Sequence, residues 1–281
     1  MCLIALAWRM HPRYRLILAA NRDEFHARPT LPLAEWEDAP QVIGGRDALH
    51  GGSWLALRGQ RLAAVTNVRR PPEQEGRSRG DLVADFVRGD ADATAAMRSL
   101  ANEATRYRPF NLLIHDGDGL AFASNFSDTA NPGTASGPGF ATRMLDPGIH
   151  GVSNGALDAP WPKTVMLMAK LGEWVAASAA DLSTDNVPDP EPIFAALADT
   201  TLFADDRLPD TGIGLERERF LSPAFIAHPA YGTRASTVVL IADDGVDIIE
   251  RRFGPEGSFL EQRRIRTSSR AEPPMPFADR P

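Results

Sequence analysis

The sequence predicts an α+β fold in which antiparallel sheets are covered by helices. Hairpin patterns open the chain, helical patterns fill its middle, and another hairpin pattern lies near its end. Strands grouped in this way, rather than alternating one by one with helices, argue for antiparallel pairing and against a βαβ design. No repeat of solenoid period interrupts the pattern. The chain has 281 residues, 43% of them hydrophobic, enough for a substantial core. A single domain is expected over 1–266. From Thr267 the composition turns to Ser, Arg, Glu and Pro, so 267–281 is expected to be a disordered tail.

The apolar runs 1–8 and 14–20 flank the polar turn Met10-His11-Pro12-Arg13 and read as the first hairpin. The polar tetrad Asn21-Arg22-Asp23-Glu24 closes its second strand. Residues 29–41, rich in Pro, Glu and Asp, read as a loop. The stretch His50-Gly51-Gly52-Ser53-Trp54 then leads into a strand, and Arg58-Gly59-Gln60 turns it back into a partner over 61–67. Residues 69–80 read as a charged loop broken by Pro and Gly. Residues 80–87 read as a helix with Leu82, Val83, Phe86 and Val87 on one face, and a second helix is expected over about 92–104. A third hairpin spans 110–125 around Gly117-Asp118-Gly119, and 127–139 reads as a loop. A short strand follows at 148–152, then the longest helix from about 160 to 178 and another near 192–198. Residues 200–222 read as irregular. The closing hairpin covers 237–251, with a final strand around 259–265.

Composition excludes several classes of function. The net charge is −7 and no long basic block is present, which argues against a nucleic-acid partner. Arg69, Arg70, Arg77 and Arg79 are read as part of a solvated loop. One cysteine leaves no disulfide framework and no cysteine-based zinc site. The six histidines form no HxxxH or HExxH pair. Neither a metal nor a cofactor is therefore expected. No apolar run reaches the roughly 18–20 residues of a membrane helix, and the opening run lacks the basic start of a signal peptide. The expectation is a cytoplasmic protein without an integral membrane segment.

The chemistry-bearing residues gather at strand ends. Cys2 follows the initiator Met. Removal of Met1 would put a free α-amine, with a pKa of roughly 7.7–8.0, on the same residue as a thiol of about 8.5, so that one residue supplies nucleophile and base. Read alone, Cys2 is equally well a small apolar residue starting a core strand. If the second strand persists through the tetrad, Asn21 and Asp23 face one way and Arg22 and Glu24 the other. An Asp can orient the amine, and an Arg can favour the thiolate or hold an anionic substrate group; a surface ion pair at a strand end is the plain alternative. Asn67 and Asn154 each end an apolar strand, after Val65-Thr66 and Val152-Ser153. Such amides can build an oxyanion hole, although singly they are common turn formers. Arg234, in Tyr231-Gly232-Thr233-Arg234, is a second guanidinium before an apolar strand. A thiol, carboxylates, amides and guanidiniums recurring at the ends of four strands suggest one sheet end lined for acyl chemistry.

Met1-Cys2, Ala20-Asn21-Arg22-Asp23-Glu24-Phe25 and Arg28-Pro29 together resemble the opening of the NRDE family, also called the transport and Golgi organisation family. The resemblance continues through Gly51-Gly52-Ser53-Trp54-Leu55, Ala64-Val65-Thr66-Asn67, Arg79-Gly80-Asp81-Leu82-Val83, Phe110-Asn111-Leu112, Gly151-Val152-Ser153-Asn154 with Pro160-Trp161, and Tyr231-Gly232-Thr233-Arg234. It implies the four-layer αββα sandwich of N-terminal-nucleophile hydrolases. It also implies likeness to cysteine acylases of the penicillin V acylase and bile salt hydrolase type. On that pattern Cys2, Arg22, Asp23, Asn67, Asn154 and Arg234 are the catalytic candidates, with Asn21, Glu24 and Trp54 as substrate-binding candidates. The acylases separate their early Arg and Asp by two residues, whereas Arg22 and Asp23 adjoin. A bulge or a strand end is then needed for both to reach the thiol, unless Glu24 or Asn21 takes one role. The resemblance implies an N-terminal cysteine amidohydrolase acting on a small-molecule amide. Its alternative is a non-catalytic carrier of haem, acyl-CoA or another lipid, since the family is associated with secretion, lipid homeostasis and haem trafficking. No haem motif of CP or CxxCH type is present.

Overall fold

The computed structural model describes residues 2–69, 75–126, 139–180 and 187–268, with Cys2 described by its backbone. The expected loop at 127–139, apart from Gly139, and the expected tail at 267–281, apart from Thr267 and Ser268, lie outside them.

All the strand pairing within sheets is antiparallel. One sheet has six strands, in the order β10 (Gly148–Val152), β1 (Cys2–Trp8), β2 (Tyr14–Phe25), β11 (Tyr231–Ala242), β12 (Gly245–Phe253) and β13 (Phe259–Ser268). The other has seven, in chain order: β3 (Thr30–Trp36), β4 (Ala39–Asp47), β5 (Leu55–Arg58), β6 (Arg61–Asn67), β7 (Phe110–His115), β8 (Leu120–Ser124) and β9 (Ala141–Met144). The helices are α1 (Arg79–Arg88), α2 (Ala93–Ala101), α3 (Pro162–Ala180), α4 (Glu191–Leu197) and α5 (Leu215–Phe220).

The layer order follows from strand periodicity. Successive side chains of a strand face opposite sides. In β1 and β2 the even positions Ile4, Leu6, Trp8, Leu16 and Leu18 meet Leu57, Leu62 and Leu113 of the other sheet in the central core. The odd positions Leu3, Ala5, Ile17 and Ala19 face outward onto Leu167, Leu171 and Trp174 of α3 and Phe194 of α4. On the far side, Ala56, Ala63, Val65, Leu112 and Ile114 pack under Leu82, Val83, Phe86 and Val87 of α1 and Met97 of α2. The central strands such as β1, β2, β6 and β7 are thus apolar on both faces, which is why runs such as Leu16-Ile17-Leu18-Ala19-Ala20 show no polar alternation. The result is a four-layer αββα sandwich of two antiparallel sheets between helices.

Several local expectations need correction. Residues 29–41 are not a loop but contain β3 and the start of β4. Leu33 and Trp36 are buried there, and Pro32 is tolerated because β3 is an edge strand with no ladder to complete on one side. The tetrad does not end β2, which runs through it to Phe25. β11 starts at Tyr231, six residues earlier than the apolar run suggests. β9 and the short α5 escaped notice because neither carries a clear period. β13 continues to Ser268, past the expected boundary at 266. Arg69 is not solvated: its side chain is 6% exposed. No described helix is long and apolar enough to cross a membrane.

Candidate active site

The two sheets approach at the ends of β2 and β6, and a polar cleft of about 300 Å³ opens there. Its described wall includes Arg22, Asp23 and Glu24 of β2, then Arg28, Asp47, Trp54, Asn67 and the Ser78-Arg79-Gly80 start of α1.

The Gly-Gly-Ser-Trp segment shapes one side. A Cβ on Gly52 would lie 2.5 Å from the carbonyl carbon of Gly80, so only glycine allows the segment to pack against the start of α1. The Ser53 N–H donates to Gly80 O at 3.2 Å. Ser53 Oγ lies 2.7 Å from the Gly45 carbonyl and 2.9 Å from the Leu55 carbonyl, either of which can accept its single proton. Gly45 in turn leaves room for the Trp54 ring, whose atoms a Cβ would approach at 2.2 Å. Trp54 thereby presents its face to the cleft, and the Arg22 guanidinium stacks 4.3 Å from its centroid, a cation–π contact.

Arg22 is buried, donates to Thr30 Oγ1 at 3.2 Å and lies 3.9 Å from Glu24. Glu24 also faces Arg28 at 3.6 Å. Arg28 holds Asp47 in a two-pronged pair of 3.2 and 2.6 Å. Burial alone would raise the Asp47 carboxyl, but the Arg28 guanidinium, the Leu49 N–H and the charge of Arg22 hold it below the usual carboxylate range. Asp23 is buried and accepts from Thr233 Oγ1 at 2.7 Å.

β2 is neither bulged nor ended at Arg22 and Asp23; the irregularity lies in its partner β11. The β2–β11 register pairs Asp23 with Thr233 and Arg22 with Ala235, leaving Arg234 as the extra residue. That bulge adds local twist to β11, and both Arg22 and Asp23 are among the residues that border the cleft. Cys2 is the Cα partner of Arg22 across the β1–β2 ladder, so the first strand begins beside the cleft.

The candidates divide into two groups. Arg22, Asp23, Glu24, Trp54 and Asn67 meet in the cleft wall; Asn21, Asn154 and Arg234 are not among its lining residues. Asn21 faces outward. Its amide donates to Leu197 O and Ala224 O, both at 2.8 Å, and accepts from Ser236 Oγ at 2.6 Å, which ties β2 to the end of α4. Arg234 directs Nη1 at the carbonyls of Phe25, His26 and Arg28 and so holds the turn after β2. Burial and the nearby charges of Arg22 and Arg252 lower its pKa.

Asn154 belongs to a buried seam between the sheets. Its Nδ2 donates to Asn67 O at 2.9 Å, and its Oδ1 accepts from Arg69 Nη2 at 3.3 Å. Arg69 also donates to Glu218, forming an ion pair with exposures of 6% and 3%, and lies over Trp161. Thr211 gives Glu218 both its N–H and its hydroxyl. Thr66 Oγ1 donates to Ser153 O, and Asn111 Nδ2 donates to Gly155 O. Sequence reasoning missed Arg69, Glu218, Arg28 and Asp47. Only Arg28 had a signal, as part of the Arg28-Pro29 motif.

A further carboxyl lies between the sheets. Glu250 of β12 is buried and accepts from the Leu33 N–H at 2.8 Å. Burial pushes it up to about 7, against the opposing effects of that N–H and of Arg252 and Arg22. Among the described residues no cluster of three metal-ligating side chains occurs.

A family model described as Transport and Golgi organisation 2 matches residues 1–255. The chain is 31% identical over 267 residues to the Transport and Golgi organization protein 2 homolog of Homo sapiens, an alignment covering 87% of this chain and 90% of the human protein. It is 30% identical to the Mus musculus homolog over the same length and shares. With the Drosophila melanogaster Transport and Golgi organization protein 2 it shares 36% identity over 127 residues, 40% of this chain and 45% of that one. Among solved structures, a Caenorhabditis elegans ortholog of N-acylethanolamine-hydrolyzing acid amidase covers 85% of this chain and 92% of its own at 12% identity and a TM-score of 0.43. A likeness at that level carries no argument about activity.

Proposed function

The chain belongs to the Transport and Golgi organisation 2 family, and from that premise we propose that it is an N-terminal cysteine amidohydrolase acting on a small-molecule amide. The observation that carries this reading is the convergence of Arg22, Asp23 and Asn67 on one cleft, with Cys2 the strand partner of Arg22.

With Met1 removed, the Cys2 thiol attacks the amide carbonyl and its proton passes to the Cys2 α-amine. A carbon–sulfur bond forms as the carbonyl π pair moves to oxygen. The Asn67 amide, set at the end of β6, stabilises that oxyanion. Asp23, fixed by Thr233, holds the α-ammonium, which then protonates the leaving nitrogen as the carbon–nitrogen bond breaks. Water hydrolyses the thioester and restores the thiol. Arg22, stacked on Trp54, favours the thiolate and receives an anionic group of the substrate. Asn154 and Arg234 act as positioning residues, the first holding Asn67 O and the second the end of β2.

The test is hydrolysis of a panel of fluorogenic N-acyl amides by the full chain and three variants. Cys2→Ala is expected to abolish turnover, and Asp23→Asn and Asn67→Ala to lower kcat by about 10²–10³-fold, as loss of an oriented acid–base or oxyanion group does. Full turnover by Cys2→Ala, or by protein that retains Met1, contradicts the mechanism. No turnover of any amide by the wild-type chain favours a non-catalytic carrier of lipid or haem on the same fold.

A further inference from the structure

α1 and α2 do not close completely over the seven-stranded sheet. Between them lies a cavity of about 250 Å³ on the outer face of that sheet. Leu112 and Ile114 form its floor, Leu82 and Phe86 one wall, and Met97 and Leu100 the other. An apolar cavity of about 150 Å³ stays dry and takes up benzene, so this one accommodates a longer apolar group. Its lining lacks dispersion partners that such a group would restore.

One end of the cavity carries a cation. Arg61, the first residue of β6, donates through Nη2 to Phe86 O at 3.2 Å and Ala91 O at 2.8 Å. Its guanidinium lies 4.2 Å from the Phe86 ring centroid. Among the described residues its buried Nε has no acceptor, Nη1 makes no hydrogen bond, and no carboxylate pairs with it. Burial and the neighbouring Arg58 lower its pKa, which Asp116, Asp90 and Asp92 only partly offset. The two acidic residues of the lining, Asp85 and Glu103, stand at the opposite, Tyr107 end. Arg77 lies over Tyr107 there and faces both carboxylates at 4.0 and 3.6 Å. The cavity is therefore apolar along its length, with its under-compensated positive charge at the Arg61 end.

We infer that this cavity binds an amphipathic monocarboxylate of fatty-acid type, its alkyl chain between α1 and α2 and its carboxylate on Arg61 Nη1. The site is separate from the cleft and uses neither Cys2 nor Asp23, so it stands whether or not the chain is a hydrolase.

Calorimetric titration of the full chain with decanoate, below its micelle concentration, tests it. Saturable one-to-one binding is expected. Arg61→Gln should weaken it roughly tenfold or more, the scale of a lost charge-assisted hydrogen bond. Met97→Trp, which fills the cavity, should abolish it. Decanol keeps the chain but not the charge; it should bind as weakly as decanoate binds Arg61→Gln and should be indifferent to that substitution. The decanol comparison uses wild-type protein and is independent of how the Trp variant folds. Absence of saturable decanoate binding, equal affinities for decanoate and decanol, or an unchanged affinity in Arg61→Gln would each overturn the assignment.

Discussion

Two polar clusters lie side by side where the sheets converge, and in sequence they look alike. One is the cleft cluster of Arg22, Asp23, Glu24, Trp54 and Asn67. The other is the seam of Asn154, Arg69, Glu218 and Thr211. Both contain an amide that ends an apolar strand. The amide of Asn154 is spent on Arg69 and on Asn67 O inside the protein, whereas Asn67 offers its side chain to the cleft wall. The difference teaches that a polar residue at a strand end announces neither catalysis nor structure. What decides is whether its hydrogen-bonding capacity is consumed by other buried groups.

The largest contrast is expected at Glu218. Replacing Glu218 by Ala leaves Arg69 buried without its carboxylate, and a buried pair broken on one side costs about 3–5 kcal/mol. Urea denaturation should show that loss, and a change below about 1 kcal/mol would mean that water reaches the Arg69–Glu218 pair.

Glu250 sharpens the comparison through pH. Its carboxyl is raised from an ordinary 4.5 to about 7 in the folded chain. Its contribution to stability is therefore complete below pH 4.5, where it is protonated folded and unfolded alike, and is lost as pH rises through about 7. The loss amounts to about 3 kcal/mol. Glu250→Gln should remove this decline from denaturation curves recorded between pH 5 and 8; an unchanged decline would assign it to other groups.

The two asparagines then separate. Asn154→Ala unpairs Asn67 O and an Arg69 donor and should cost about 1–3 kcal/mol. Asn67→Ala removes a side chain facing the cleft and should stay within about 0.5 kcal/mol, while reducing turnover. If both cost the same stability and the same activity, the distinction between open and sealed amides fails.

Much of the fold was legible because apolar strand runs and turn chemistry agree. Residues 61–67 and 148–152 were read with their observed bounds, and α1 within one residue at each end. β3 was missed because Pro32 and acidic residues mask a short edge strand whose burial comes from Leu33 and Trp36. The site was legible as a set of strand ends, but its internal division was not. Nothing local distinguishes Asn67 from Asn154, because Arg69 and Glu218, 149 residues apart, decide their roles. Likewise, the irregularity beside Arg22 and Asp23 lies in β11 at Arg234, more than 200 residues away in sequence, where nothing local to β2 announces it.

The central claim is that the cleft is organised around a nucleophile at residue 2. Peptide-mapping mass spectrometry of the full chain after brief exposure to an acylating β-lactone tests it most directly. The account predicts a chain that begins at Cys2, acylated on that residue alone, with labelling lost in Cys2→Ala and slowed in Asp23→Asn. Met1 still in place, or an unlabelled Cys2 in folded protein, would contradict it.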